Sequence, residues 1–260
     1  MTTIGYDDRT TPPLGAFNST LVMLELRRLT RNRRTMVFTI VLPVFFFLIF
    51  GLNKSYADQR AGVGNVSAFI MISMAIYGAM IATTSAGASV SIERSLGWSR
   101  QLRLTPLAPT AYVAVKMVAA LVVGAVAMAA VYVAGIVSGR PDMPLHTWVA
   151  TALIGWIGSL VFAAFGLFMG YVLPGENVMQ ILGPGLALLA FLGGLFVPLE
   201  DGTVLKDIGQ FTPMYGLNEL VHVPLTGDGL HLAWIVNLVV WLALFIAGAA
   251  WRMSKDTARV

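Results

Sequence analysis

Residues Val66 to Val90 read VSAFIMISMAIYGAMIATTSAGASV, 25 consecutive positions without a charged side chain. At 1.5 Å rise per residue, a helix of about 20 apolar residues crosses a hydrocarbon core about 30 Å thick. The stretch is therefore read as a membrane span, and the rest of the chain must be read in that light. Outward from it, comparable uncharged stretches lie at Thr35 to Asn53, Met117 to Gly139, Met143 to Gly175, Asn177 to Leu199 and Gly229 to Trp251. Allowing for tilt, they give six helices at about 35–53, 66–90, 112–137, 148–172, 177–198 and 231–251.

Composition agrees. The 260 residues are 57% hydrophobic and 12% charged, against about 45–50% and about 25% in soluble domains. The fold class expected is all-α integral membrane. Cysteine is absent, which removes disulfides, thiolate nucleophiles and Cys-type metal sites. Residues Met1 to Gly15 carry acids, threonines, Pro12 and Pro13, with no apolar core leading to a cleavage site. The reading is a flexible tail over 1–16 and an uncleaved first span.

Lys and Arg near span ends are retained on the cytoplasmic side. With the N-terminus inside, thirteen of the seventeen basic residues face the cytoplasm, and only Lys54, Arg60, Arg140 and Lys206 lie outside. Asp58, Asp142, Glu200, Asp201, Asp207, Glu219 and Asp228 gather with those four. Both termini are thus expected in the cytoplasm of a cell-membrane protein, with 252–260 as a tail. The basic pI near 9.6 follows from this bias, and nucleic-acid binding has no support.

Three segments do not span. Over 17–34, Val22, Leu26 and Leu29 fall at helical spacing beside Glu25, Arg27, Arg28 and Arg31, which predicts an amphipathic helix lying on membrane lipid. The loop over 93–109 sets Leu96, Trp98, Leu102 and Leu104 among Glu93, Arg94, Arg100, Gln101 and Arg103, and closes at Thr105-Pro106. A short amphipathic helix with an aromatic and arginines suits a docking surface. A simple positively charged turn is the alternative. The outer segment 199–230 is too polar to span but holds Phe211, Met214, Tyr215 and Leu217. One or two short helices or a shallow re-entrant turn are expected there.

The order of these parts resembles the membrane subunits of type 2 ABC exporters, in the branch of the daunorubicin-resistance permeases. The likeness rests on Leu24-Glu-Leu-Arg-Arg28, Pro43, Glu93-Arg94, Gly97, Gln101-Leu102 and Thr105-Pro106. Late in the chain it rests on Gly193-Gly-Leu-Phe-Val-Pro-Leu-Glu200 and Phe211-Thr-Pro-Met-Tyr-Gly216. Ser95 departs from it, since many relatives carry a second acid there. The resemblance implies an ATP-driven exporter of an amphipathic small molecule, drug or lipid-like substrate. It implies a second permease copy, most simply a homodimer, and two copies of an ATP-binding subunit that hold ATP and Mg. It makes 93–109 the coupling helix, with Glu93, Arg94, Gly97, Trp98, Arg100, Gln101, Leu102 and Arg103 at the ATPase. The elbow helix over 17–34 would touch the ATPase too.

The residues fit a permease that does not fuel itself. No Gly-x-x-x-x-Gly-Lys-Ser/Thr loop occurs, so no cofactor is expected on this chain. Ion-coupled carriers hold ionisable groups inside the membrane, whereas the span centres here have none. Lys116, near a span end, is expected to snorkel to the interface, and Glu176 to sit in a turn. Phe45, Phe46, Met71, Met74 and Tyr77 are candidates for a substrate route, against an ordinary lipid-facing or packing role. Pro43, Gly183, Pro184 and Gly185 are candidate hinges. A self-sufficient carrier or channel, and an intramembrane enzyme using Ser85, Ser89, Ser159 or a histidine, are the rival readings.

Overall fold

The computed structural model describes residues 17, 19–97, 108–175 and 178–257. Among them the chain is α-helical apart from a two-residue hairpin, Arg60–Ala61 with Gly64–Asn65. The helices are α1 (Ser19–Arg31), α2 (Arg33–Phe50), α3 (Lys54–Asp58), α4 (Val66–Ala88), α5 (Val90–Ser95) and α6 (Pro109–Ser138). They continue as α7 (Leu145–Gly158), α8 (Leu160–Val172), α9 (Val178–Leu192), α10 (Val204–Gly209), α11 (Pro213–Thr226) and α12 (Leu232–Thr257). The protein is an all-α membrane protein. The tail 1–16 and the loop residues Trp98, Arg100, Gln101, Leu102 and Arg103 lie outside the described residues, as does Glu176.

Among the described residues, four continuous segments are long and apolar enough to cross a bilayer: Val66–Ser95, Thr110–Ser138, Leu145–Val172 and Leu232–Lys255. Two of them jog without breaking. At Ser89 and Ser159 the hydroxyls donate back to the Ala86 and Trp156 carbonyls at 2.7 and 2.6 Å, a local competition that bends helices. The first apolar helix, α2, follows α1 at a 72° bend. Asn32 makes that corner, its side chain accepting the Thr35 N–H at 3.3 Å, an N-cap that restarts the ladder.

The fifth apolar helix is shorter than the expected 177–198. It ends at Leu192 after 15 residues, because Gly194 turns the backbone to φ +75°, a conformation glycine adopts without a Cβ clash. The last helix is longer than expected and continues through the anticipated tail to Thr257.

The centre is α4, buried along almost its whole length. It lies against α2, α6, α8 and α9. An all-round apolar helix belongs in the middle of a bundle, and its small residues let neighbours close in. A Cβ on Gly87 would overlap the Ala163 carbonyl, and one on Gly166 the Thr84 carbonyl. The Gly166/Gly170 pair therefore faces α4, in the manner of small-residue crossings between membrane helices. Thr84 seals the contact by donating to the Phe162 carbonyl at 3.2 Å.

The segment before α12 enters the bundle. Thr212 caps α11, Pro213 begins it, and ten of its residues are buried. Leu217 fills the notch of Gly158, which sits roughly 20 Å along α7 from Leu145 by helical rise. The other end of α11 is tied near the start of α7, where Thr147 donates to the Pro224 carbonyl at 3.3 Å. Of the two arrangements expected for this segment, it takes the one with two short helices, α10 and α11, and α11 packs against α7 as far along as Gly158. Side chains of α12 hold its approach: Asn237 donates to the Gln210 carbonyl at 3.1 Å and Trp241 to the Phe211 carbonyl at 2.8 Å.

Candidate functional site

Two ends of the bundle carry polar chemistry. At the basic end α1, the α4–α5 corner and the first turns of α6 converge on a group of charges. Glu25 and Arg28 stand one turn apart on α1, 3.2 Å from each other. Lys116, eight residues into α6, donates to Glu25 Oε1 at 2.7 Å and also to Glu93 Oε1. Arg28 reaches the same Glu93 oxygen and donates to Ser89 Oγ at 2.9 Å. The Tyr112 hydroxyl takes the other carboxylate oxygen of Glu93.

Two acids and two bases make the junction neutral as a unit. The Lys116 and Glu93 side chains are 2% and 6% exposed, so each charge depends on the others in a setting where an unpaired ion costs several kcal/mol. Snorkelling is therefore corrected for Lys116: with acceptors on α1 and α5 within reach, its ammonium turns into the protein. Apolar contacts reinforce the joint, as Leu26 and Leu29 of α1 pack on Ala82, Val123 and Ala127.

The resemblance sets Glu93 and Arg94 at the ATPase; within this chain both make contacts of their own, Glu93 in the junction and Arg94 on α8. Arg94 donates to the Gly170 and Tyr171 carbonyls at 3.1 and 3.0 Å and lies over the Tyr171 ring at 5.4 Å. Its guanidinium thereby satisfies carbonyls at the C-terminus of α8, which have no helical partner of their own. Ser91 adds a bond to the Leu173 carbonyl at 3.1 Å. The start of the loop is thus fastened to α1, α6 and α8. On α1, Glu25 faces the junction while Arg27 and Arg31 are exposed; Gly97 has φ +73° and open space around it.

The candidate route residues do not share one surface. Met71 and Met74 are in the core, Tyr77 is 6% exposed, and Phe45 is 51% exposed on the outside of α2. Phe46 joins them, stacked on Tyr77 at 6.2 Å, and Tyr77 meets Phe196 edge-on at 5.1 Å. The helix that carries Met71, Met74 and Tyr77 is covered on every side, so apolar residues on any of its faces become core. Of the candidate hinges, Pro43 sits within α2 against Gly78, and α9 continues through Pro184 with open space beside Gly183 and Gly185. A narrow cleft beside the junction is lined by Leu29, Asn32, Met36, Ser85, Ile92 and Met179. The Ser85 hydroxyl there is buried without a partner among the described residues.

At the acidic end α11 holds its polar groups singly. His222 stacks on Phe69 at 4.0 Å; its Nδ1 lies 2.8 Å from the Asn218 carbonyl and its Nε2 3.4 Å from Ser73 Oγ. Nε2 also lies 3.3 Å from the Phe69 carbonyl, and a neutral ring can donate to only one of the two carbonyls: donating from Nδ1 to Asn218, it accepts from Ser73 at Nε2 and leaves the Phe69 carbonyl without that bond. Asn218 donates to the Gly194 carbonyl at 3.2 Å. Sequence spacing gave no sign of the charged junction, since its members come from positions 25, 28, 93, 112 and 116. The one available signal was Lys116 itself, an ammonium eight residues inside an otherwise apolar helix.

The fold and the junction define a multi-helix, all-α membrane domain whose extra helices are fastened to the bundle at both ends. Residues 18–225 match the ABC-2 type transporter family, and the chain belongs to that family. It is also similar to YvfS of Bacillus subtilis (strain 168), a protein classed by its name with the transport permeases. The two are 26% identical over 238 residues, covering 90% of this chain and 96% of the relative.

Proposed function

We propose that this chain is the permease half of an ATP-driven exporter of the cell membrane, crossing it six times with both termini in the cytoplasm. In this reading two copies pair, and each receives force from an ATP-binding subunit through the 93–109 loop. The observation that carries it is the fastening of that loop. Glu93, Arg94 and Ser91 root its start in α1, α6 and α8, as a segment that transmits a push from outside requires. Trp98, Arg100, Gln101, Leu102 and Arg103 then form the docking surface, together with exposed Arg27 and Arg31 of α1, and Glu93 and Arg94 hold the loop in place. ATP and Mg reside on the partner. The family match supports the transporter role; direction and substrate class are the reading's own.

The cleft beside α1 favours an amphipathic substrate, because its mostly apolar walls also carry the polar side chains of Asn32, Thr35, Thr39 and Ser89 and the unpartnered Ser85 hydroxyl. The short fifth apolar helix completes its crossing, in this reading, through the dipping segment 193–226, and the open space beside Gly183 and Gly185 leaves α9 room to flex. An ion-coupled carrier is less well supported, since the buried charges among the described residues are paired with one another. The test is co-expression with ATP-binding subunits encoded in the same genome, purification and reconstitution. ATP-dependent outward movement of an amphipathic dye is expected. Replacing Trp98, Arg100 and Leu102 with alanine is expected to abolish ATPase binding. Solute movement at full rate without ATP would overturn the proposal.

A further inference from the structure

The charged junction is more than local stabilisation. Its four ions belong to three separate pieces of chain: α1 before the first apolar helix, the corner that opens the 93–109 loop, and the start of α6. Glu93 is the shared acceptor, holding Arg28, Lys116 and Tyr112 at once, and Lys116 is the shared donor, holding Glu25 and Glu93. The same corner is clamped to the end of α8 by Arg94. Lys116, Glu93 and Glu25 are shielded from water while Arg28 reaches the surface, so breaking a link of Lys116 leaves an ion in a nearly dry site with too few partners, and the pieces resist small displacements together.

The geometry matters because of where α1 leads. One residue beyond its end, Asn32 turns the chain by 72° into α2. A displacement of the loop start that drags α1 therefore tilts α2, although α2 itself makes no ion pair with the loop among the described residues. From this, and resting on the permease reading above, we infer that Lys116 is a positioning residue. It locks the elbow helix to the start of the coupling loop, so that force delivered to the loop reaches the first span. Without the lock the loop can be pushed while α2 stays where it is: hydrolysis continues and transport does not.

The inference separates binding of the ATPase from use of its work. Lys116→Met removes the shared donor. Lys116→Met with Glu93→Gln removes one charge of each sign, leaves Glu25 paired with Arg28, and so keeps a neutral, foldable site without the lock. Lys116→Arg keeps it. The complex of each variant with its ATP-binding subunits is reconstituted, and ATP hydrolysis and dye transport are measured in the same vesicles. The double variant is expected to hydrolyse ATP within about twofold of wild type while dye moved per ATP falls at least about tenfold; the arginine variant is expected to restore most of it. Spin labels at exposed Met23 on α1 and Leu96 after α5, 66% and 78% accessible, are expected to give one narrow distance in wild type and a broad one in the double variant. A double variant with a wild-type transport-to-hydrolysis ratio, or a distance as narrow as wild type, would overturn the lock. Failure of the wild-type complex to assemble or to need ATP would instead overturn the permease reading.

Discussion

The basic end and the acidic end of this bundle solve the same problem by different physics. Each must hold an extra helix, α1 or α11, against the spans. At the basic end the fastening is ionic: Lys116, Glu25 and Glu93 are shielded from water and paired with one another, and Arg28 closes the group from the surface. At the acidic end α11 is held by shape, with Leu217 in the notch of Gly158, by single hydrogen bonds to backbone carbonyls, and by one neutral histidine. An ionic joint is stiff and fails all at once, whereas a packed joint loses stability in proportion to the atoms removed.

The largest effect should come from unbalancing the ionic joint. Lys116→Met alone leaves two buried carboxylates sharing Arg28, and is expected to cost about 3–5 kcal/mol, read as a drop in thermal unfolding temperature in detergent. Adding Glu93→Gln should recover a good part of that loss. A double variant as unstable as the single one would show that packing, rather than charge balance, holds the basic end.

Next comes the packed joint. Leu217→Ala empties a fully buried site against Gly158 and is expected to cost about 2–4 kcal/mol. Added salt should leave this loss unchanged, and chemical unfolding at low and high ionic strength checks it.

The smallest effect is at the Lys206–Asp201 pair, where Asp201 is 94% exposed. Asp201→Asn should change stability by no more than about 0.5 kcal/mol, measured by the same unfolding.

Legibility in the sequence followed the range of the interactions. Val66 to Val90 was readable as a span because twenty-five uncharged residues have few other stable settings in a chain this apolar. The α1 stripe was readable because helical periodicity is local. The Glu93-Arg94 pair was recognisable as a feature but not in its direction: whether a charge faces a partner or its own protein depends on what stands opposite, here Arg28 and Lys116 from distant positions. Met71, Met74 and Tyr77 could not be told from core by sequence for a related reason, since α4 is apolar all round and its spacing carries no preferred face.

The sequence by itself determined that this is an all-α membrane protein, where its apolar helices lie, and the bias of its charges toward one side. Those follow from the cost of placing charges and unbonded peptide groups in hydrocarbon, a cost summed along the chain residue by residue. Only the tertiary structure decided that Lys116 joins Glu25 to Glu93, that α4 is the buried centre, and that α11 reaches the depth of Gly158. Those depend on which surfaces meet across long loops, where the energy belongs to the pair and neither partner's local sequence contains it.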